Sequence, residues 1–350
     1  MLKMSDIAER AGVSSSTVSF VLNDRHEAAR ISEATRQKVL NAAQEMGYRA
    51  NHGARAMRTG NTRMIGIVGG DLALEQVGLM VSGVLEELER HDYTIKLLTS
   101  LGKNSLEAVQ EVFKRSSELR LQGAIAMHLS AQAIEAFEAE ARNYKYPLLL
   151  LDTRAPNGVL AEVISDDEAG IVAAMEHLIG LGHRRIGLIS GDAHDVIVPS
   201  RQRAFLETLR ANGLEAPPHY LQYGDFSLRE PNLRAARALL SLPKGERPTA
   251  LLCMGDLIAM AAMQVASQLN LRVPHDLSVV GFADFALAEY ANPPLTTVRQ
   301  DFGAMGREAA RLLLQRCGQK NKGAPTDEAS LCKRVPTLLI VRDTCGPVCK

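Results

Sequence analysis

The chain has 350 residues, of which 46% are hydrophobic, and its 40 Lys and Arg residues equal its 40 Asp and Glu residues. This length indicates two or three domains with sizeable cores, and a net charge of zero excludes no class of partner for the whole chain. The longest apolar runs are too short to cross a bilayer and acidic residues interrupt the N-terminus at once, so we expect a cytosolic protein.

The first 60 residues differ from the rest because they are predicted to form short helices and no strand. They hold nine Lys and Arg residues against six Asp and Glu residues, which gives a local charge of +3. A small basic helical unit on a neutral body suits contact with nucleic acid, although a solvated helical cap would have the same composition.

Three helices are predicted in this head. In the stretch SDIAERAGVSSSTVSFVLN, Ser5 can cap the first helix and Gly12 can close it in the left-handed conformation. Ser14 can then cap a second helix after a short turn, and a third helix is expected from Ser32 to Met46. This order predicts a helix-turn-helix unit.

The outward face of the second helix carries no charge. At 100° per residue, its three aliphatic residues share one side, Ser16 and Phe20 point away from them, and Ser15 and Ser19 flank that direction. A face meant only for water usually carries Lys or Glu. Small hydrogen-bond donors beside one aromatic ring therefore favour a helix that reads the major groove. The alternative is a three-helix cap with an incidental exposed phenylalanine.

The stretch NHGARAMRTGNT, residues 51–62, connects the head to the body. It contains helix formers, but an isolated helix of this length is marginal in water. It is either a plain linker or a segment that folds on binding.

From residue 64 onward, short apolar runs alternate with amphipathic helical stretches. This pattern is typical of parallel sheets covered by helices on both faces. The segments IGIVGGD (65–71) and IGLISGD (186–192) echo each other, which indicates two similar α/β lobes. Ligands bind outside the carboxyl ends of such strands, so a cleft between the lobes is the expected pocket.

Several motifs occur in an order that resembles the lac repressor family of bacterial transcription regulators. They include MSDIAERAGVSSSTVSFVLN, HLIGLGHRRIGLISG, LRVPHDLSVVGFADF and PPLTTVRQDF. The resemblance implies a repressor that binds a near-palindromic operator as a homodimer or a dimer of dimers, with a periplasmic-binding-protein-like core that senses a small molecule. The implied boundaries are a head at 1–48, a hinge at 49–62, a first lobe at 63–162 and 292–325, and a second lobe at 163–291 and 326–345.

The resemblance also implies which head residues contact DNA. Ser15 and Ser16 take the positions that read base edges, and Ser19 and Phe20 extend the same face. The positions that contact the DNA backbone are Ser14, Thr17 and Asn23 in the head and Asn51 at the hinge.

In the hinge, Ala54, Arg55 and Met57 are expected at the minor groove. Met57 stands where the family usually has a leucine that wedges between base pairs, and a flexible apolar methionine can still insert there. We expect residues 54–58 to fold when two heads sit on the operator, and ligand closure of the cleft to alter the spacing of the heads.

Phe20 departs from the family pattern TVSRVLN, because it replaces the arginine. That arginine typically reaches guanine, so its loss removes a strong bidentate contact, whereas a phenylalanine ring can pack on a thymine methyl group. We therefore expect an operator half-site that differs from the family consensus at that base.

Three residues match family positions in the effector pocket. Asp152 follows the strand YPLLLLD, Arg201 matches an arginine that usually clamps ligand hydroxyls or carboxylates, and Phe226 matches an aromatic that usually stacks on the ligand. The alternative for each is an ordinary salt bridge or core residue.

Other pocket positions depart from the family. The usual Asn-Asp is Gly255-Asp256, the usual Asp-Asp is Ala283-Asp284, and the usual Asn-Pro-Phe-Phe is residues 74–77, LEQV. Asp256 and Asp284 remain as weaker candidates. A site for sugars needs such polar groups, so a simple sugar is disfavoured. A less polar ligand, an acidic ligand held by Arg201, or the loss of the effector all remain open.

No phosphate-binding loop, nucleophile elbow or HExxH motif occurs in the sequence, so we expect neither an enzyme nor a cofactor. The five cysteines show no CxxC spacing, and a disulfide or metal site at Cys345 and Cys349 is disfavoured in a cytosolic protein. A small-molecule binding protein without a DNA function is the remaining alternative class.

Overall fold

The computed structural model describes residues 3–22, 30–48, 62–69, 71–98, 106–129, 131–144, 147–154, 160–193, 195, 197–319 and 332–348. The chain forms two compact units, residues 1–62 and residues 63–350. Each unit has a hydrophobic core of its own.

The smaller unit packs three helices around Ile7, Val18 and Val39, which are fully buried. As the sequence predicts, Gly12 takes the left-handed conformation at the end of the first helix, with φ of 66°. The Ser14 hydroxyl accepts a hydrogen bond from the backbone N–H of Thr17, which confirms the predicted cap of the second helix. The helices are α1 (Met4–Ala11), α2 (Ser15–Leu22) and α3 (Glu33–Glu45).

The expected cap at Ser5 is wrong. A cap at Ser5 implies a helix that begins at Asp6, but α1 begins at Met4, and Lys3 precedes it in an extended conformation. The Asp6 carboxylate accepts a hydrogen bond of 2.8 Å from the Lys3 backbone N–H. This carboxylate satisfies a donor at the helix start and favours the positive end of the helix, so the helix needs no serine cap there.

The first sheet of the larger unit has six parallel strands in the order β11-β5-β4-β3-β1-β2. Its central strands are fully buried, as expected for apolar runs covered on both faces. The strands are β1 (Met64–Gly69), β2 (Thr94–Leu98), β3 (Gly123–Met127), β4 (Leu148–Leu151), β5 (Ala161–Ser165) and β11 (Cys332–Val335).

The second sheet has the order β12-β10-β9-β8-β6-β7, and only β12 runs antiparallel to its neighbour. The two sheets therefore repeat one architecture, as the echo in the sequence predicts. The strands are β6 (Ile186–Ser190), β7 (Leu221–Tyr223), β8 (Ala250–Cys253), β9 (Ser278–Ala283), β10 (Thr296–Gln300) and β12 (Thr337–Ile340).

Helices pack against both sheets and bury separate apolar clusters on their faces. The helix that carries Gly83 and the helix that carries Gly303 pack so closely that a Cβ at Gly83 would overlap the carbonyl of Gly303. The helices are α4 (Glu75–Glu89), α5 (Leu106–Glu118), α6 (Ala131–Tyr144), α7 (Asp167–Gly180), α8 (Val198–Ala211), α9 (Arg229–Leu240), α10 (Asp256–Gln268), α11 (Ala286–Tyr290) and α12 (Phe302–Gln319).

The chain crosses between the lobes at places that differ from the expected boundaries. β10 lies within the segment 292–325 expected in the first lobe, but it pairs with β9 of the second sheet. β11 lies within the segment 326–345 expected in the second lobe, but it pairs with β5 of the first sheet. The expected boundary after residue 162 also falls inside β5, which stays in the first sheet as far as Ser165. All three boundaries are corrected, because strand pairing rather than local pattern decides to which sheet a strand belongs.

The three crossings follow Ser165, Gln300 and Val335, and hydrogen bonds tie them together. The Gln300 side-chain amide donates to the Ser165 hydroxyl at 2.6 Å, and the Asp166 backbone N–H donates to the carbonyl of Val335 at 2.8 Å. The Thr337 hydroxyl donates to the carbonyl of Asp166 at 2.9 Å. Motion of one lobe against the other must therefore pass through this bonded region.

Within the part of the chain that the structure describes, no helix is long and apolar enough to cross a membrane.

Candidate functional site

A cavity of about 440 Å³ lies between the two lobes of the larger unit. Residues from the carboxyl ends of β3, β4, β8, β9 and β10 contribute to its wall, which is where α/β sheets bind ligands. Its volume lies in the range of small-molecule sites. The described residues that line it are Leu74, Gln76, His128, Leu129, Asp152, Thr153, Asp195, Ile197, Arg201, Phe226, Ser227, Met254, Gly255, Asp256, Leu257, Phe282, Ala283, Phe285, Gln300 and Phe302.

Arg201 lies in the first turn of α8 and is 3% exposed. Its Nε donates to Asp167 at 2.8 Å, and its Nη1 donates to the carbonyl of Met254 at 3.0 Å. Its guanidinium carbon lies 4.2 Å from the centroid of the Phe282 ring. The guanidinium is thus fixed by an ion pair, a carbonyl and an aromatic face, with the cavity beside it.

The partner carboxylate, Asp167, belongs to a buried network. It accepts hydrogen bonds from the Ser165 hydroxyl and, at 3.2 Å, from the Gln300 amide. Ser165 and Gln300 end the strands that precede two of the lobe crossings. The Arg201 ion pair therefore lies within the second lobe and links the cavity wall to the segments between the lobes.

Asp152 follows β4 in the left-handed conformation, with φ of 56°, which aspartate tolerates better than most residues. Burial raises the pKa of its carboxyl group to about 7, and the negative charge of Asp167 adds to the rise. Nε2 of His128 lies 3.9 Å from its Oδ2. Burial lowers the pKa of His128, so the imidazole is neutral near pH 7.

Phe226 lies in the loop after β7 and presents its ring to the cavity. The ring packs over Gly191 so closely that a Cβ at that position would overlap it. Its centroid is 5.9 Å from the Arg201 guanidinium carbon. On another part of the wall, Phe285 and Phe302 stack with centroids 6.1 Å apart. The cavity thus combines several aromatic faces with polar and charged side chains.

Asp256 lines the cavity, but both of its carboxylate oxygens bind protein groups. Oδ1 accepts from the Thr297 hydroxyl, and Oδ2 accepts from the backbone N–H of Phe285 at 2.7 Å. Burial raises the pKa of this carboxyl group to about 6. Its bonds fix the segment after β9.

Asp284 is not brought into the cavity. Its carboxylate forms ion pairs with Arg299 at 2.7 Å and with Arg342 at 2.8 Å, and its side chain is 5% exposed. It is absent from the described residues that line the cavity wall. The two arginines satisfy this buried carboxylate, and that contradicts its expected contact with a ligand.

The segment that departs from the family in the first lobe also reaches the cleft. Leu74 and Gln76 line the cavity, and Glu75 between them accepts a hydrogen bond of 2.9 Å from the backbone N–H of Ala286 in the second lobe. This contact joins the two lobes at the cavity mouth.

Sequence reasoning missed several polar residues of the wall. His128 and Gln300 lie at strand ends, and Asp195 lies in the loop after β6. The rule that ligands meet the carboxyl ends of parallel strands could have found His128, which directly follows the apolar strand GAIAM. Gln300 ends a largely polar strand, and Asp195 lies five residues beyond the end of β6, so their signal is weaker.

In the head, the exposed face of α2 agrees with the helical wheel. Ser15 and Ser16 are exposed, Phe20 is 42% exposed, and Val18 and Val21 are buried. The Ser14 hydroxyl lies 2.7 Å from that of Ser16 and 2.9 Å from that of Thr17, so hydroxyls cluster at the helix N-terminus. Ser19 is half-buried beside them. The expected contacts at Asn23, Asn51, Ala54, Arg55 and Met57 lie outside the described residues, as does Cys349.

A helix-turn-helix head together with two α/β lobes around a ligand-sized cavity defines a DNA-binding regulator that responds to a small molecule. The model for bacterial regulatory proteins of the lacI family matches residues 3–51, and the model for the periplasmic binding protein-like domain matches residues 175–345. The repressor PurR of Aliivibrio fischeri (strain MJ11) is 31% identical over 323 residues, which cover 92% of this chain and 93% of that protein. The chain therefore belongs to the lacI family of bacterial transcription regulators.

Further relatives agree. PurR of Escherichia coli O139:H28 is 30% identical, and the match covers 92% of each chain. Among solved structures, a lac repressor dimer bound to operator and the anti-inducer ONPF has a TM-score of 0.80 at 28% identity, with 98% of each chain covered. A complex of the regulator CelR with cellobiose has a TM-score of 0.71 at 28% identity, covering 98% of this chain and 100% of that one. These relatives are transcription regulators and not enzymes.

Proposed function

We propose that the chain represses transcription as a homodimer on a near-palindromic operator, and that a small molecule in the cavity changes its affinity for DNA. The observation that carries this proposal is the convergence of Arg201, Asp152 and Phe226 on one cavity, in a chain that also presents an uncharged helix face on its head. The lac repressor dimer on its operator, which has a similar fold, supports the homodimer.

On the DNA, α2 lies in the major groove and its exposed face reads base edges. Ser15, Ser16 and Ser19 supply short donors and acceptors, and the exposed ring of Phe20 packs on a thymine methyl group. Ser14 and Thr17 place their hydroxyls at the helix N-terminus, where a phosphate is favoured by the helix dipole.

The remaining DNA contacts are proposed from the family pattern alone. Asn23 and Asn51 bind the sugar-phosphate backbone, and the hinge residues Ala54, Arg55 and Met57 enter the minor groove. Folding of the hinge on DNA makes repression sensitive to the spacing of the two heads.

Ligand binding affects the DNA-binding state through the hydrogen-bonded network between the lobes. A molecule that contacts Arg201 perturbs its ion pair with Asp167. Asp167 is hydrogen-bonded to Gln300, which is hydrogen-bonded to Ser165, and both lie at the lobe crossings. When two lobe arrangements differ in their affinity for the ligand, ligand binding shifts the population of the DNA-binding state. A regulator without an effector is the second candidate, because the carboxylates of Asp256 and Asp284 are bound to other groups of the protein.

The test is a selection of genomic and random DNA with the full-length protein, repeated at two salt concentrations. We expect palindromic sites whose affinity falls steeply with salt. The variant Phe20→Arg should acquire a requirement for guanine at one position of each half-site, and the exposed Glu45→Gln on α3 should retain the wild-type preference. A wild-type site that already requires that guanine would reject the proposed role of Phe20. Failure to select any DNA would reject the repressor itself.

Assembly and location remain predictions. Sedimentation of the full-length protein with and without operator DNA distinguishes a dimer from a dimer of dimers, and cell fractionation tests the expected cytosolic location.

A further inference from the structure

The cavity wall carries an excess of negative charge. Three of its described residues, Asp152, Asp195 and Asp256, are carboxylic acids, and Arg201 is the one Lys or Arg among them. Arg201 is already paired with Asp167 at 2.8 Å. The described part of the cavity wall therefore offers a bound ligand more negative than positive charge.

An acidic ligand fits this wall poorly. The Nε and Nη1 atoms of Arg201 donate to Asp167 and to the carbonyl of Met254, which leaves the Nη2 group of the guanidinium for a ligand. A carboxylate placed there would also approach Asp152 and Asp195 in a region of low dielectric, where like charges repel strongly. The acidic alternative that the sequence left open is disfavoured by this geometry.

Asp152 has no hydrogen-bond donor among the described residues, and its side chain is 15% exposed, toward the cavity. The neutral imidazole of His128 is 3.9 Å away. On the other side, Asp195 uses Oδ1 to accept from the backbone N–H of Ile197 at 3.1 Å. A largely buried carboxylate without a partner is costly unless a ligand supplies the missing donor.

Aromatic rings form the rest of the wall. Phe282 is covered by the Arg201 guanidinium, whereas Phe226 and the stacked pair Phe285 and Phe302 line the cavity from other directions. Such faces favour a flat apolar body and attract a cation through their ring quadrupoles.

We propose that the effector is an organic cation, an amine or a protonated nitrogen heterocycle, whose charged nitrogen is held by Asp152 and Asp195 and whose apolar or aromatic body packs on Phe226 and Phe285. This rests on the proposed effector function and names the chemical class of the ligand.

Binding of the cation then depends on pH, because Asp152 must be ionised. Burial, with the charges of Asp167 and Asp195, raises its pKa to about 7, the charge of Arg201 opposes the rise, and His128 is neutral. The ionised fraction of Asp152 grows from about one tenth at pH 6 to about nine tenths at pH 8, so amine affinity should rise about tenfold over this range.

The experiment uses the full-length protein and three probes that share a body but differ in charge: 2-phenylethylamine, 3-phenylpropionate and 2-phenylethanol. Thermal shift and calorimetric titration at pH 6 and pH 8 measure binding. We expect the amine to bind most tightly and to gain about tenfold between the two pH values.

Asp152→Asn should weaken amine binding at pH 8 by about tenfold or more and remove the pH dependence, because the amide cannot ionise. Asp195→Asn keeps the hydrogen bond from the backbone N–H of Ile197 and should weaken amine binding as well. The matched control is Asp92→Asn, because Asp92 has the same φ of 56° and its 81% exposed side chain lies outside the cavity wall. It should bind the amine as the wild type does.

Preference for the carboxylate or the alcohol would overturn the cationic class and leave the effector function standing. If none of the three probes binds, the cationic class is overturned, and DNA selection then shows independently whether the repressor function survives.

Discussion

Replacing Asp167 with alanine should destabilise the larger unit strongly. Asp167 is 8% exposed and holds the Arg201 guanidinium at 2.8 Å, and it also accepts hydrogen bonds from Ser165 and Gln300. Its removal leaves a buried cation without a counterion. Breaking a buried pair in this way costs about 3–5 kcal/mol of the free energy of unfolding.

Glu168→Ala is the matched control, because Glu168 is the next residue on α7. Its carboxylate pairs with Arg203 at 2.8 Å, the same separation, but the two side chains are 33% and 59% exposed. An exposed pair contributes about 0–1 kcal/mol. Both acids lie in the first turn of the helix, so each variant loses a similar interaction with the helix dipole, about 0.3–1 kcal/mol.

Urea unfolding followed by circular dichroism measures the stability of both variants. The dependence of the free energy of unfolding on urea concentration is compared first, because midpoints report stability alone only when this slope is unchanged. In the background of Arg201→Met, the change Asp167→Ala should cost much less, because no buried charge is then left unpaired. Equal losses for Asp167→Ala and Glu168→Ala would refute the reasoning that burial makes this ion pair special.

Three further predictions concern the cavity. Gly191→Ala should push the Phe226 ring out of place and cost about 1–3 kcal/mol of stability by overpacking, measured by thermal unfolding; Gly245→Ala, where a Cβ meets open space, should be near neutral. The folded-state pKa of Asp152, about 7, exceeds the ordinary aspartate value of about 3.9, so the folded state binds the extra proton and stability should fall as pH rises from about 4 to 7. Asp152→Asn should flatten that slope and remove its part between about pH 6 and 7, because Asp256, with a pKa of about 6, contributes only at lower pH. An unchanged slope between about pH 6 and 7 would place the titration elsewhere. Glu75→Ala removes the acceptor of a bond between the lobes, so small-angle scattering should show a more open larger unit, and an unchanged profile would mean that this bond does not hold the cleft.

The architecture of the lobes was predictable because it is written in local periodicity. Runs such as GAIAM in β3 and LLLL in β4 are apolar at every position, and both are fully buried. A strand of this kind needs cover on both faces, which implies a parallel sheet between helices. In the head, Gly12 and Ser14 were predictable for the same reason, since capping depends on neighbours within a few residues.

The lobe crossings were not predictable from local pattern. Nothing in the composition of β10 or β11 distinguishes a strand of one sheet from a strand of the other. β11 pairs with β5 although about 170 residues separate them, as between Val335 and Ser165. Only the packed sheets decide this assignment.

The cavity residues divide in the same way. The resemblance to the family predicted that Asp152, Arg201 and Phe226 lie in the pocket, and the structure places all three in the cavity wall. Asp284 has a similar sequence signal, but Arg299 and Arg342 turn its carboxylate away from the cavity. Arg342 contacts Asp284 in space but is remote from it in sequence, so local sequence could not predict where the Asp284 carboxylate points.

The sequence by itself determined the helix-turn-helix head, the two α/β lobes and the uncharged face around Phe20, because periodicity and capping act between near neighbours. The tertiary structure alone decided that Asp167 neutralises Arg201 and that Asp152 has no hydrogen-bond donor among the described residues. Charge balance in a cavity is a sum over residues from many strands, and in a low dielectric that sum selects the ligand.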